Sequence, residues 1–316
     1  MSKPKPAKPV TAIRAERVRY IKLGREGKWE RECEKYGIIR FGFGSATPER
    51  FALCCDGRWD ELTKSFIQQG KSQGTATRFT NETRQFFEDD GSTLWITFIG
   101  ERLCWGFLNS KPPERHQDDD GVWRAIAGGW QSTDIKGEAL TKDRLSGALT
   151  QIAAYRGTSC TVKEAEYVIR RINGQKTPAV ERALDAQKEI ELSVLDLMKL
   201  LGPTDFETLV DLVFSTSGWR RLGTVGKTQK TLDIDLILPS TGERAFVQVK
   251  SKTNAAELVE YIAKLDDLGP YNRMFYVYHS GCAQTDDDRV TVVGPEKLAK
   301  LVVDAGLANW LIRKVS

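Results

Sequence analysis

Histidine is almost missing from this chain: His116 and His279 are the only two in 316 residues. That scarcity argues against a histidine-built metal centre. No apolar run is long enough to span a bilayer, so no membrane helix is expected. The opening MSKPKPAKPV lacks an apolar signal core, which gives the expectation of a cytoplasmic protein. The six cysteines, at 33, 54, 55, 104, 160 and 282, form no C-x-x-C pair. Without an export signal they read as reduced core or surface thiols, not as a disulfide framework.

What is present is ordinary for a globular chain, with 40% hydrophobic and 28% charged residues. The length allows two domains with separate cores. Net charge is +4, but residues 1–31 hold ten Lys/Arg against three Glu. A basic leading arm over a near-neutral body suits contact with phosphate backbone. The plainer reading of its first dozen residues is a solvated tail. Acidic runs at 118–120 and 286–288 read as exposed loops.

Residues 1–17 read as a disordered basic tail and 18–174 as a β-rich domain. Strands are expected at 18–23, 37–43, 123–127, 153–156 and 159–162, with a hairpin at 93–98 and 102–108. Helices are expected at 60–69 and 77–87. Six of the eight tryptophans fall here: Trp29, Trp59, Trp95, Trp105, Trp123 and Trp130. A break at 174–178 precedes a linker helix over 175–202, with Val180, Leu184, Ile190, Val194, Leu197 and Leu201 in helical period. Gly202-Pro203 stops it. In the second domain, 203–316, a helix is followed by strands at 219–225, 232–238 and 244–250. Then come a helix at 255–268, strands at 273–279 and 290–293, and a last helix from Pro295. This order predicts a mixed sheet flanked by helices; the fold class is α/β, α+β overall.

The chemistry concentrates between Phe206 and Lys250. Strand alternation puts Asp233 and Asp235 on one face, and Gln248 and Lys250 on one face of the next strand. Carboxylates hold a hard cation, and a lysine orients water or steadies developing charge, which is what metal-dependent phosphodiester hydrolysis needs. Each residue also has a plainer reading. Thr204-x-x-Glu207 matches a capping box, so Glu207 would merely close a helix start. The aspartates would be the solvated face of an edge strand, and Lys250 and Lys252 surface lysines. Against this, charges at alternate places in an apolar strand are costly unless paired. A phosphate-loop hint at Gly223, Gly226, Lys227 and Thr228 fails, because Arg221 stands where a Walker A glycine is required.

Residues 200–305 resemble the PD-(D/E)xK nuclease superfamily and, within it, the Mrr-like restriction endonucleases. The matched pieces are the Phe206-Glu207 helix, Gly218-Trp219 at its end, and the Ile234-Asp235-Leu236 strand. Gln248-Val249-Lys250 stands in place of the commoner Glu-x-Lys, and the following helix and the Tyr276 strand also fit. By position, the resemblance implies Asp235 as principal metal ligand with Asp233 as its rival. Gln248 would add an amide oxygen and Val249 a carbonyl. Lys250 would hold or help deprotonate the attacking water, and Glu207 would face the site. The implied cofactor is Mg²⁺, with Mn²⁺ as a substitute. Gln for Glu removes one negative charge and weakens the case for a second cation.

Residues 77–108 resemble PUA-like modules, the group that includes EVE domains and other modified-base readers. This implies a barrel able to enclose an extruded base between aromatic rings. Trp95, Trp105, Trp123 and Trp130 are the candidates, with barrel core as their plainer role. Arg40, Lys71, Arg78 and Arg84 are candidates for phosphate contact, joined by Lys230 and Lys252 near the nuclease strands. Together the resemblances imply a prokaryotic, Mg²⁺-dependent endonuclease that restricts modified or foreign double-stranded DNA, acting as a homodimer. The alternatives are a repair or recombination nuclease without base reading, and a non-cutting DNA-binding regulator.

Overall fold

The computed structural model describes residues 11–42, 47–115, 121–222, 233–265, 271 and 273–316, with the backbone alone at Lys264. The expectations for the first ten residues, His116, the 118–120 acidic run, the 223–228 loop and Lys230 lie outside these. The chain divides into two compact units, Met1–Lys176 and Thr177–Ser316. Both are mixed α/β. Among the described residues no helix is long and apolar enough to cross a membrane.

In the first unit the strands are β1 (Arg17–Ile21), β2 (Ile38–Phe41), β3 (Thr93–Ile99), β4 (Arg102–Phe107), β5 (Glu114–Arg115), β6 (Val122–Ala125) and β7 (Ser159–Thr161). The helices are α1 (Glu30–Tyr36), α2 (Pro48–Cys55), α3 (Trp59–Gln68), α4 (Gln73–Phe87), α5 (Gly147–Thr150) and α6 (Ala165–Ile172). Two sheets form, β4-β3-β1-β7 and β2-β6-β5. Backbone bonds Asn109 N to Ala125 O (2.9 Å) and Ala127 N to Phe107 O (2.8 Å) join the end of β4 to the end of β6. All seven residues of β3 are buried, because both its faces are covered. Trp95 and Ile99 pack inward with Phe41, Val122 and Phe86 of α4. Leu94, Ile96 and Phe98 pack on Leu149, Val168 and Ile172 of α5 and α6.

Several expectations are corrected here. The strand expected at 153–156 is instead a 3-10 turn, Gln151–Ala154. Ser146 caps α5, its hydroxyl accepting from Leu149 N–H at 3.3 Å, and the chain winds straight on into that turn. Helices α1, α2, α5 and α6 were not anticipated. For α2 the signal was present: Thr47 caps it and Pro48 occupies the first helical position.

The second unit contains β8 (Arg220–Arg221), β9 (Ile234–Leu238), β10 (Glu243–Thr253), β11 (Arg273–Gly281) and β12 (Val290–Val293). Its helices are α7 (Pro178–Met198), α8 (Pro203–Thr216), α9 (Ala255–Leu265), α10 (Pro295–Asp304) and α11 (Ala308–Val315), the last unanticipated. The sheet order is β12-β11-β10-β9-β8, with β10-β11-β12 parallel and β8-β9-β10 antiparallel. Ile234, Leu236, Val247, Val249 and Val277 face α8 and α10. Phe246, Met274, Tyr276 and Tyr278 face Leu258 and Leu265 of α9. On α7, Val194 and Met198 are buried but Val180, Leu184 and Ile190 are exposed. The expected apolar stripe is therefore used only at its C-terminal end.

Candidate active site

β9 and β10 pair with Asp235 opposite Phe246 and Ile234 opposite Val247. One step further back along the chain, Asp233 meets Gln248. Asp233 Oδ2 accepts from the Val249 backbone N–H at 2.7 Å and from the Gln248 amide. Gln248 is only 4% exposed, and its Oε1 is buried with no hydrogen-bond partner. Leaving a buried acceptor unsatisfied costs about 1–3 kcal/mol. That oxygen lies in the same side chain whose amide donates to the Asp233 carboxylate.

Glu207 joins them from α8. Burial, and then the charge of Asp233, push its carboxyl above the usual range, against the pull of Arg221. Burial likewise pushes Asp233 up, opposed by the Val249 N–H, Lys250 and Gln248. The helix cap is Gly202, so Thr204 lies within the first turn and no capping box forms. The plainer reading of Glu207 therefore fails on geometry.

Lys250 follows on the same face of β10. A hydrogen bond with the Tyr261 hydroxyl raises its amine above the ordinary lysine range, with burial opposing. The ammonium lies 5.0 Å from the Tyr261 ring centre. Behind it, Thr253 Oγ1 and the Tyr276 hydroxyl are 2.5 Å apart, and Thr253 also donates to Glu257 Oε2 at 3.0 Å. The sequence reading missed Glu257 and Tyr261. Their spacing of four on α9 was the available signal, since it puts both on one helix face.

Asp235 has other partners than Asp233. Arg244 pairs with it at 3.0 Å, and Tyr271 hydrogen-bonds it. Its charge is already balanced by a cation, so the carboxylate that meets Gln248 and Val249 is Asp233, the expected rival. Lys252 is exposed on β10.

Among the described residues no group of three or more His, Cys, Asp or Glu could hold a metal ion. The donors that do converge are two carboxylates, Asp233 and Glu207, with the unpartnered Gln248 amide oxygen. Such a sparse, all-oxygen set fits Mg²⁺, which keeps several waters and shares its shell with phosphate.

In the first unit the expected base cage does not form. Trp95 is fully buried, its Nε1 donating to Asp89 Oδ2 at 2.6 Å. Trp105 is 7% exposed and donates to the Thr133 carbonyl at 2.8 Å. Both are core, because the sheet is covered on both faces. Trp130 donates to the Ile38 carbonyl at 3.0 Å. Arg40 is sandwiched, its guanidinium 4.4 Å from Trp29 and 4.6 Å from Trp123, and it pairs with Glu32 at 2.9 Å. That arrangement makes Arg40 a packing cation. Lys71 and Arg78 are exposed, Arg78 lying 3.8 Å from Glu82. Arg84 pairs with Glu88 at 2.8 Å. An open cavity of about 420 Å³ lies elsewhere, walled by Trp59, Phe87, Pro112 and Pro113 with Arg124 and Lys111.

No family model matches the chain, and a search of curated proteins finds no match. Among solved structures it is similar to MspJI restriction endonuclease in complex with a 27-mer oligonucleotide. Identity is 13% and the TM-score 0.28, over 89% of this chain and 73% of that one.

Proposed function

We propose that the second unit hydrolyses phosphodiester bonds in DNA with a divalent cation. The observation that carries this is the buried, unpartnered Oε1 of Gln248 beside the Asp233 carboxylate. Asp233, Glu207 and Gln248 would hold Mg²⁺, with the Val249 carbonyl as a further oxygen. Bound there, the ion would polarise the phosphate and lower the pKa of a water. Lys250 stays protonated throughout the neutral range, since its partner Tyr261 raises its pKa. It therefore supplies positive charge and a donor to the attacked phosphate or the water, and does not act as a base. Hydrolysis adds water to phosphorus and breaks the P–O bond to the departing sugar oxygen, so negative charge grows where Lys250 can meet it.

The first unit would recognise DNA, with a base-reading role away from the buried Trp95 and Trp105. The cavity bounded by Trp59 and Phe87 has aromatic walls, and Glu88 and Asp89 line it beside Lys111 and Arg124. Aromatic walls with a few polar groups suit a planar base. Cutting both strands of a duplex would take two copies of the chain.

The test is digestion of modified and unmodified phage DNAs with and without Mg²⁺, by wild type and by Asp233→Ala and Lys250→Ala. Metal-dependent cleavage lost in both folded variants is expected. Cleavage at the wild-type rate in both would overturn the assignment. Equal affinity for modified and plain duplexes at matched salt would remove the reader.

A further inference from the structure

Helix α7 changes character along its length. Thr177 caps its start, the hydroxyl accepting from the Val180 N–H at 3.4 Å, and Pro178 takes the first helical position. At the far end Val194 and Met198 are buried with Leu298, Val302 and Leu311 of α10 and α11. Between the cap and that anchor every residue from 178 to 190 is exposed. Roughly 20 Å of helix is thus left open to solvent. A length that short is marginal by itself in water, and covering one face would stabilise it.

The open length is apolar along one line. Val180, Ala183, Gln187 and Ile190 follow at steps of three and four, and the same steps lead on to the buried Val194. Leu184 stands beside them. Val180, Leu184 and Ile190 are 46%, 42% and 39% exposed. One stripe is therefore buried at its C-terminal end and bare over its first half. The charges beside it are ordered too: Glu181 and Lys188 share one flank, the acid nearer the helix start. A copy of the helix laid on the stripe end for end brings Val180 against Ile190 and Ala183 against Gln187. Leu184 falls close to the axis of such a pair and meets its own counterpart. The same fit sets each Glu181 opposite the partner's Lys188. A parallel copy would instead set that flank against Ala179 and Ala186, where no charge answers it.

We infer that the first half of α7 is a self-association surface, paired antiparallel with the same helix of a second copy of this chain. The contact is small. Two helices meeting over roughly 20 Å bury less than the approximately 1,200 Å² of standard stable interfaces, so the dimer forms and parts at concentrations on the order of micromolar. The surface stands independently of the Asp233 centre and of the reading that the chain cuts DNA.

Sedimentation equilibrium of the full chain, without DNA or divalent metal, tests this across the micromolar range. Wild type is expected to pass from monomer to dimer. Leu184→Asp changes an exposed side chain and should weaken the dimer at least about tenfold. Glu181→Lys and Lys188→Glu each set like charges face to face and should weaken it about fivefold, while the double exchange restores wild-type association. Asp185→Lys, exposed on the opposite side of α7, should leave association unchanged. Far-UV circular dichroism confirms that each variant keeps its helices. The inference is overturned if wild type stays monomeric throughout, or if its dimer is indifferent to Leu184→Asp. Failure of the folded double exchange to recover association would overturn the antiparallel pairing.

Discussion

Arg244 holds Asp235 at 3.0 Å, two residues along β9 from Asp233, whose carboxylate meets Gln248 and Val249 instead. Two acids on one strand face thus have different partners: one is neutralised by a cation, the other faces an amide with an oxygen to spare.

The first prediction separates the two acids. Asp233→Asn should lower Mg²⁺-dependent DNA cleavage by at least about 100-fold, as loss of a main ligand does. Asp235→Asn should leave most of the rate and instead cost stability, because the ion pair with Arg244 is lost. Single-turnover rates beside urea melts check this, and a reversed order of rates would return Asp235 to the leading place.

A second prediction concerns pH in metal-free protein. Asp233 and Glu207 both have carboxyls raised in the folded state. Their contribution to stability is therefore full below the ordinary carboxylate range and is lost as pH rises through the folded values. At neutral pH, Asp233→Asn should raise the melting temperature by about 2 °C, and near about pH 3 the difference should vanish. Saturating Mg²⁺ should stabilise wild type more than the variant. No gain from the substitution at pH 7 would argue against two crowded acids.

Trp95 offers a test of core against cage. Trp95→Phe removes the donor to buried Asp89 and should destabilise by about 1–3 kcal/mol. DNA affinity of the folded variant should match wild type at equal salt. A selective loss of affinity with unchanged stability would restore Trp95 to the binding surface.

Gly281 tests the backbone behind Lys250. Its φ is +103°, and a Cβ there would lie 2.0 Å from the Thr253 carbonyl oxygen. Gly281→Ala should cost at least about 3 kcal/mol in denaturant unfolding, since neither strand can yield without moving the other. The same shift should loosen the Thr253–Tyr276 contact. A variant as stable as wild type would mean the β10–β11 junction accommodates a side chain.

Much of the second unit was legible because its signals are local. Alternation in β9 and β10, the Gly202-Pro203 stop and Pro295 at a helix start each act within a few residues. The helices of the first unit were harder, as α1 and α6 are short and their apolar contacts lie on distant strands. The exposed first half of α7 shows the converse: a helical period in the text does not say whether anything covers it.

The amino-acid order alone determined that Asp233, Asp235, Gln248 and Lys250 would share sheet faces, because side chains alternate with a period of two. It could not choose between the aspartates, which have the same parity. Their different partners came from the register of β9 on β10 and from where Arg244 lands, both set by pairing across the turn between the strands. Burial of Trp95 and the stacking of Arg40 between Trp29 and Trp123 were likewise decided in three dimensions, where the partners of a side chain come from distant parts of the chain.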